Sequence, residues 1–236
     1  MGSLYIVMPA YNEEENIEGV VRQWYAILED KDTSSRLVVA DSGSKDKTHQ
    51  ILEQLQVELP KLEILTDTEK QHGPKLIALY KYAIKQGVDY IFQTDSDGQT
   101  NPEEFESFWN MREDYDAVIG NRTVRGDGKV RGFIEHVVCI LLYIFFGVKV
   151  PDANAPFRLM RATVVEKYIN RLPEDYNIPN IMFTTYFAHY REKMAFRVIT
   201  FKPRQGGVNS INIPRIIEIG WKAIGDFIRF KKDMKN

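Results

Sequence analysis

The stretch DYIFQTDSDGQTNPEEFESFWNM, residues 89–111, reads as a strand that runs into an acidic turn and then a helix. Tyr90, Ile91 and Phe92 form a short apolar run of the kind a buried strand needs. Asp95, Asp97 and Gln99 come next, with Gly98 and Asn101 marking the turn. Pro102 suits the first turn of a helix, which Phe105, Phe108 and Trp109 then pattern. Two carboxylates one residue apart repel, and each ionises less readily for it. A positive charge is needed to make that arrangement favourable.

The same strand–helix alternation extends toward the N-terminus. Residues 4–8 (LYIVM), 36–40 (RLVVA), 62–66 (LEILT), 89–94 and 116–120 (DAVIG) are expected strands. Helices are expected between them. The first is patterned by Ile17, Val20, Val21, Trp24, Ile27 and Leu28, with Asn12 as its N-cap. The second lies in DKTHQILEQLQVEL and the third in PKLIALYKYAIKQ. Such alternation predicts an α/β fold, a mostly parallel sheet with helices on both faces. The second half is less regular: a long apolar helix around 133–147, a strand-like PFRLMR, a helix in NIMFTTYFAHYRE and a strand in AFRVITF. The segment from 213 onward places Ile213, Ile216, Ile217, Trp221, Ile224, Phe227 and Ile228 on one helical face. No linker composition divides the chain. One domain over 1–236 is expected, with a nucleotide-binding half (1–122) and an attached second half (123–236) that closes the site.

Composition narrows the class. The 236 residues are 44% hydrophobic and 27% charged, ordinary for a folded protein. A net charge of −2 gives no global basic field, which argues against nucleic acid as partner. The single cysteine, Cys139, cannot form an internal disulfide, in keeping with a reducing, cytoplasmic setting. The longest apolar run, 137–148, would rise about 18 Å as a helix against a bilayer core of about 30 Å, so it reads as buried or interfacial. The basic residues of the tail after 213 outnumber its acidic ones, six to three. That suits peripheral contact with an anionic leaflet, at the inner face of the plasma membrane, and core packing is the competing reading.

In open parallel sheets, ligands bind beyond the carboxyl ends of the strands. Asp95, Asp97 and Gln99 would offer hard oxygen ligands there, suited to Mg²⁺ or Mn²⁺ carrying substrate phosphates. A solvated acidic turn is the plainer alternative. Asp41, at the end of the second strand, could accept a proton from a nucleobase imide or a ribose hydroxyl, while Ser44 or Asp46 caps the next helix. Arg122, Arg125, Arg131, Arg158 and Arg204 are candidates to stabilise a departing diphosphate, and Arg204 has glycines nearby that would allow close backbone approach. The histidines are scattered, and His72 is the one expected near the rim. Dinucleotide, Walker, nucleophile-elbow and His/Cys metal motifs are missing.

These pieces together resemble inverting family 2 glycosyltransferases with the GT-A fold, a Rossmann-like nucleotide-binding mixed sheet flanked by helices. The matching segments are VMPAYNEEENI, VVADSGSKDKT, HGPKLIALYKYAIKQG, FQTDSDGQTNPEE and VIGNR, in order. VPDANAPFRLMR and FKPRQGGVNS further resemble polyprenyl-phosphate sugar transferases such as dolichyl-phosphate mannose synthases. The resemblance implies that Pro9, Ala10, Tyr11 and Glu13 embrace the nucleotide, that Asp41 reads the base, and that Ser96 lies in the nucleotide site. It implies that Asp97 and Gln99 bind the metal, that Asp95 contacts the ribose of the nucleotide or the metal, that Arg122 and Arg131 hold phosphates, and that Arg204 folds over the donor. The implied donor is a UDP- or GDP-sugar and the implied acceptor is lipid-linked. Ser42 departs from the usual second acid of DSGS, and Pro156 from the usual glycine before FR. No Glu–Asp pair of the kind that supplies a general base is identified, which leans toward an anionic phosphate acceptor, with Asp152 the fallback base for a hydroxyl. The rival readings are a sugar nucleotidyltransferase and a non-catalytic nucleotide-sugar-binding protein. The acidic N-terminal loop speaks against the first and the intact acidic triplet against the second.

Overall fold

Strand β1 (Leu4–Ala10) is buried at every residue, as a strand covered on both faces must be. The computed structural model describes residues 2–125, 129–204 and 213–234, with backbone alone at 124–125, 129–130 and 213–219. After β1 come α1 (Ile17–Ala26), β2 (Arg36–Asp41), α2 (Thr48–Glu58), β3 (Leu62–Leu65), α3 (His72–Lys85) and β4 (Tyr90–Gln93). A 3-10 turn, Pro102–Glu104, leads into α4 (Phe105–Trp109). The second half adds β5 (Ala117–Arg125), α5 (Lys129–Phe146), β6 (Arg158–Arg161), α6 (Ala162–Ile169), α7 (Pro179–His189), β7 (Met194–Phe201) and α8 (Ile213–Asp233).

The seven strands form one mixed sheet in the order β3-β2-β1-β4-β6-β5-β7. Among the described residues only β6 runs against the rest, pairing antiparallel with β4 on one side and β5 on the other. The carboxyl ends of β1, β2, β4 and β5 therefore share one edge. The order reverses at β1, between β2 and β4, and such a switch point opens a crevice beyond the strand ends. This is the GT-A arrangement.

Alternate residues of each strand feed two cores. Leu4, Ile6 and Met8 pack with α1, α2 and α4, and Tyr5 and Val7 pack with α3, α6 and α7. Phe92 on β4 sits edge-on to Phe157 and Phe105, ring centroids 4.7 and 5.0 Å apart, with Trp24 at 5.2 Å. This aromatic packing anchors the strand that carries the paired aspartates. Pro9 lies in a central strand, where it would normally break a ladder. It is tolerated because β4 ends at Gln93, opposite Val7, so no strand partner waits for the missing N–H. Ser96 Oγ donates to the Pro9 carbonyl on that side instead.

Several sequence expectations need correction. Asn12 does not cap α1. The helix starts at Ile17, and Asn12 takes a positive φ of 54° while its Oδ1 accepts the Lys45 N–H. The short helix α6 has no counterpart among the expectations. On α8 the residues expected on one face are split: Trp221 and Ile228 are exposed, while Phe227 is buried in a seam with Ala223 and Phe230. The side chains of Ile213, Ile216 and Ile217 lie outside the described ones. Among the described residues no helix is long and apolar enough to cross a membrane.

Candidate active site

The loops after β1 and β2 are zipped together by short polar side chains. Asn12 N–H donates to Ser44 Oγ, Glu13 N–H to Thr48 Oγ1, and Glu14 N–H to Asp46 Oδ2. In return the Lys45 and Lys47 amides donate to Asn12 and Glu14. The glutamates and aspartates of PAYNEEE and DSGSKDKT are thus largely engaged in building one rim. Asp41, at the rim's floor, is buried; its Oδ1 accepts from Ser44 Oγ and its Oδ2 lies 3.1 Å from His49 Nδ1.

The turn after β4 closes by a 2.7 Å bond between the Thr94 and Thr100 hydroxyls, with Gly98 at φ 73°. A positive φ there favours glycine. Asp97 Oδ1 accepts the Gln99 N–H at 3.1 Å, and the Gln99 side-chain amide donates to the Lys202 carbonyl at 2.8 Å. Gln99 therefore also ties the turn to the end of β7. Asp95 keeps an inaccessible Oδ1 with no hydrogen-bond partner, 3.9 Å from His72 Nε2 at the start of α3.

The electrostatics follow from that crowding. Burial first, and then the neighbouring charge of Asp97, push the Asp95 carboxyl well above the usual carboxylate range. Burial raises Asp97 too, against the pull of the Gln99 N–H, Arg204 and Arg131. Glu13 is raised by burial and repelled by Asp97, while Asn16 and Arg204 hold it down. Arg204 binds Glu13 through Nη2, and its Nη1 lies 3.6 Å from Asp97 Oδ2. Carboxylates this expensive to ionise, one with an orphaned oxygen, fit a hard divalent cation. Among the described residues no group of three His, Cys, Asp or Glu side chains forms a cage by itself.

The structure brings Pro9, Ala10, Tyr11, Glu13, Asp41, Asp95, Ser96, Asp97, Gln99 and Arg204 to this one edge, and the charge of Arg131 acts on Asp97. Ser96 contributes its hydroxyl to the β1 backbone rather than to the crevice. Arg122 and Asp152 meet each other. Arg122 Nε and Nη2 donate to the two Asp152 oxygens, both at 2.8 Å, and Nη2 also reaches Glu135 Oε2 at 3.3 Å. Burial opposes ionisation of Asp152, but Arg122 outweighs it and holds the carboxyl below its usual value. An expected phosphate clamp and an expected base thus neutralise one another. Arg158 is no clamp either: it is fully buried, donating to the carbonyls of Ala155, Asn180 and Ala153. The Arg125 side chain and the glycines after Arg204 lie outside the described residues.

Three features escaped the sequence reading. Lys75 is a buried cation on α3 whose Nζ donates to the Ala10 carbonyl and lies 5.3 Å from the centroid of the Tyr11 ring. Burial lowers its ammonium to about 8, with Asp41 pulling the other way. Its signal was a charge among the otherwise apolar residues Leu76, Ile77, Leu79 and Tyr80. Glu135, one helical turn beyond Arg131, completes the Arg122 network. The chain also holds three Glu–Asp pairs, Glu29–Asp30, Glu113–Asp114 and Glu174–Asp175, of which the last lies in the turn before α7, just ahead of the Tyr176 and Asn177 backbone that abuts Gly73 at the start of α3. Both residues of this last pair are exposed, and Glu174 is drawn 2.6 Å from Lys81 Nζ on α3.

Comparison with known proteins places this geometry in context. Residues 5–169 match the family model described as glycosyl transferase family 2. The chain is 29% identical over 233 residues to an uncharacterized glycosyltransferase of Synechocystis, covering 95% of this chain and 69% of that protein. It is 28% identical over 162 residues to the undecaprenyl-phosphate mannosyltransferase of Micrococcus luteus, 66% of this chain and 65% of that one. The chain thus spans about two thirds of the length of these curated relatives. Among solved structures it is similar to glucosyl-3-phosphoglycerate synthase from Mycobacterium tuberculosis in complex with Mn²⁺, UDP-glucose and glycerol 3-phosphate. That likeness has a TM-score of 0.68 at 16% identity, covering 98% of this chain and 80% of that one. Staphylococcus aureus TarS in complex with UDP-GlcNAc gives a TM-score of 0.64 at 19% identity, covering 96% and 66%.

Proposed function

The chain belongs to glycosyl transferase family 2 and is a glycosyltransferase, and from that premise we propose that it moves one sugar from a UDP- or GDP-sugar to a polyprenyl phosphate, or to a glycan carried on one, at the cytoplasmic face of a membrane. The observation that carries this reading is the pair Asp95 and Asp97 at the switch point, with Asp95 Oδ1 buried and unsatisfied and Arg204 facing Asp97 Oδ2.

The roles follow from position. Tyr11 and Asp41 hold the nucleobase, and Lys75 fixes the loop that presents Tyr11. Asp95, Asp97 and Gln99 hold Mg²⁺ or Mn²⁺. A cation held there would supply positive charge that stabilises the departing diphosphate. Arg204 releases Asp97 and takes a diphosphate oxygen, and Arg131 orients the anionic acceptor. A phosphate oxygen of the acceptor attacks the anomeric carbon, the bond to the donor diphosphate breaks, and the configuration inverts in one displacement. No proton has to leave the nucleophile. The commitment of Asp152 to Arg122 supports this choice, because an ion-paired carboxylate held below its usual range is a weak base. The M. luteus relative is named for an undecaprenyl-phosphate acceptor, which supports the same choice.

Product analysis tests the reading. With Mn²⁺, a UDP- or GDP-sugar and a polyprenyl phosphate in detergent, the expected products are nucleoside diphosphate and a glycosyl phosphoprenol. Release of pyrophosphate would mark a nucleotidyltransferase instead. Thermal shifts with UDP-, GDP-, CDP- and dTDP-sugars would identify the base, since selective binding raises stability.

A further inference from the structure

Helix α5 carries its apolar surface outward. Phe133 is 68% exposed, Val137 37%, Ile140 46%, Tyr143 62% and Ile144 63%, and His136 between them is exposed too. These positions recur at helical spacing, so they form one continuous stripe of about 16 Å without a formal charge. On the other side Leu142 and Phe146 are buried, and Glu135 turns in to Arg122 and the Ala153 amide. A stripe this apolar on an outer surface marks an interaction site.

Two observations say what covers it. The stripe starts beside the chemistry: Arg131, whose charge acts on Asp97, lies two residues before Phe133. Basic groups also flank it. Lys149 is exposed just beyond its far end, and Lys231 of α8 lies 5.9 Å from the centroid of the Phe145 ring. The one acidic residue of α5, Glu135, is turned inward. An uncharged apolar stripe bounded by cations matches the interfacial region of an anionic bilayer.

We propose that the outward stripe of α5, Phe133 to Ile144, lies flat in the surface of an anionic membrane and aligns the Arg131 end of the crevice with lipid-borne acceptor. The acceptor part of this inference rests on the function proposed above; the docking itself does not. Lys222, Lys231 and Lys232 of α8 add to the attraction without entering the hydrocarbon, and Trp221 lies outside the stripe.

Co-flotation of the full chain with vesicles tests it, with neither donor nor metal present, so that a failed function leaves the docking result readable. Vesicles of phosphatidylcholine mixed with phosphatidylglycerol should carry the protein upward, and phosphatidylcholine alone should carry less. Ile140→Glu and Ile144→Glu, at exposed positions, should each weaken partition about tenfold, the loss expected for one large apolar side chain, with unchanged thermal unfolding. Val57→Glu, at an isolated exposed valine on α2, should float like the parent. The proposal is overturned if the parent fails to float, or if Ile140→Glu and Ile144→Glu float as well as the parent. It is also overturned if Val57→Glu is equally impaired, or if the parent is a dimer that Ile140→Glu dissociates without vesicle binding.

Discussion

Arg204 Nη1 lies 3.6 Å from Asp97 Oδ2 while Nη2 of the same guanidinium holds Glu13. One cation thus balances carboxylates from the loop after β1 and the turn after β4. Replacing Arg204 with Met should cut turnover about 10²- to 10³-fold, the scale for losing one preorganised charge on a leaving group. It also leaves Glu13 and Asp97 facing each other. The variant should therefore melt lower than the parent without metal, and Mn²⁺ should raise its melting temperature more than it raises the parent's. Asp97→Asn should abolish turnover and keep the fold. Full activity of that variant in metal-free buffer would remove the metal assignment.

Asp41 is expected to set donor affinity rather than rate. Its carboxylate is buried, oriented by Ser44 and His49, and close enough to Lys75 to raise that ammonium's pKa. Asp41→Ala removes an acceptor from a buried site, which costs about 1–3 kcal/mol of binding. Donor KM should rise about tenfold to a hundredfold with kcat little changed. His49→Gln, which perturbs only the orientation, should give a smaller rise of the same kind.

The start of α3 admits only glycine at position 73. A Cβ there would fall 2.3 Å from the Tyr176 carbonyl oxygen and 2.5 Å from the Asn177 carbonyl carbon, both backbone atoms that cannot swing aside. Gly73→Ala should displace the turn that carries His72 and Lys75, since the segment before α7 blocks it. Stability should fall by about 1–3 kcal/mol, as for overpacking elsewhere. Donor affinity should fall as well, read by urea midpoint and donor KM on the same preparation.

How much of this was legible beforehand follows from the range of each interaction. β1 to β5 and the helices between them were readable because Leu4–Met8 or Ile17–Trp24 repeat with the period of one element. The acidic turn at 95–99 was readable because its polar side chains are adjacent in sequence. β6 was legible as a strand, but its reversed insertion between β4 and β5 was not, because four residues carry no signal of direction. α6 was missed because eight residues give barely two turns of periodicity. Arg122 and Asp152 were singled out for separate roles because residues 30 positions apart reveal no contact locally. The apolar run of α5 stayed open between core and interface, since hydrophobicity alone does not say whether the neighbour is protein or lipid.

Asp175→Asn tests the choice between acceptors. Both side chains of Glu174–Asp175 are exposed in the turn before α7, and Glu174 is ion-paired to Lys81, which leaves Asp175 as the candidate base of the pair. A phosphate nucleophile needs no base, and Asp175→Asn should leave kcat within about twofold. A hydroxyl nucleophile would lose about 10²-fold or more on removal of its general base. Single-turnover rates with polyprenyl phosphate and with a lipid-linked glycan therefore separate the two arms of the proposed function.

The Arg122 network makes opposite demands on its two acids, and pH should expose them. Asp152 has a folded pKa below its ordinary value of 3.8, so its stabilising contribution is complete above that value and is lost as pH falls through the lower folded one. Glu135 is raised above 4.5, by burial first and then by the charge of Asp152. Its ionisation therefore opposes folding, and stability declines as pH rises from 4.5 through the raised folded value. Asp152→Asn leaves Arg122 without its bidentate partner and should cost about 3 kcal/mol near neutral pH, where a buried pair is broken. Glu135→Gln should cost less, because the amide can still accept from Ala153 or Arg122 and no longer repels Asp152. Its deficit relative to the parent should shrink as pH rises from 4.5 toward neutrality, while that of Asp152→Asn should not. Urea midpoints at the two ends of that range measure both trends. Parallel profiles for the two variants would mean that the network behaves as a single ion pair, with Glu135 a bystander.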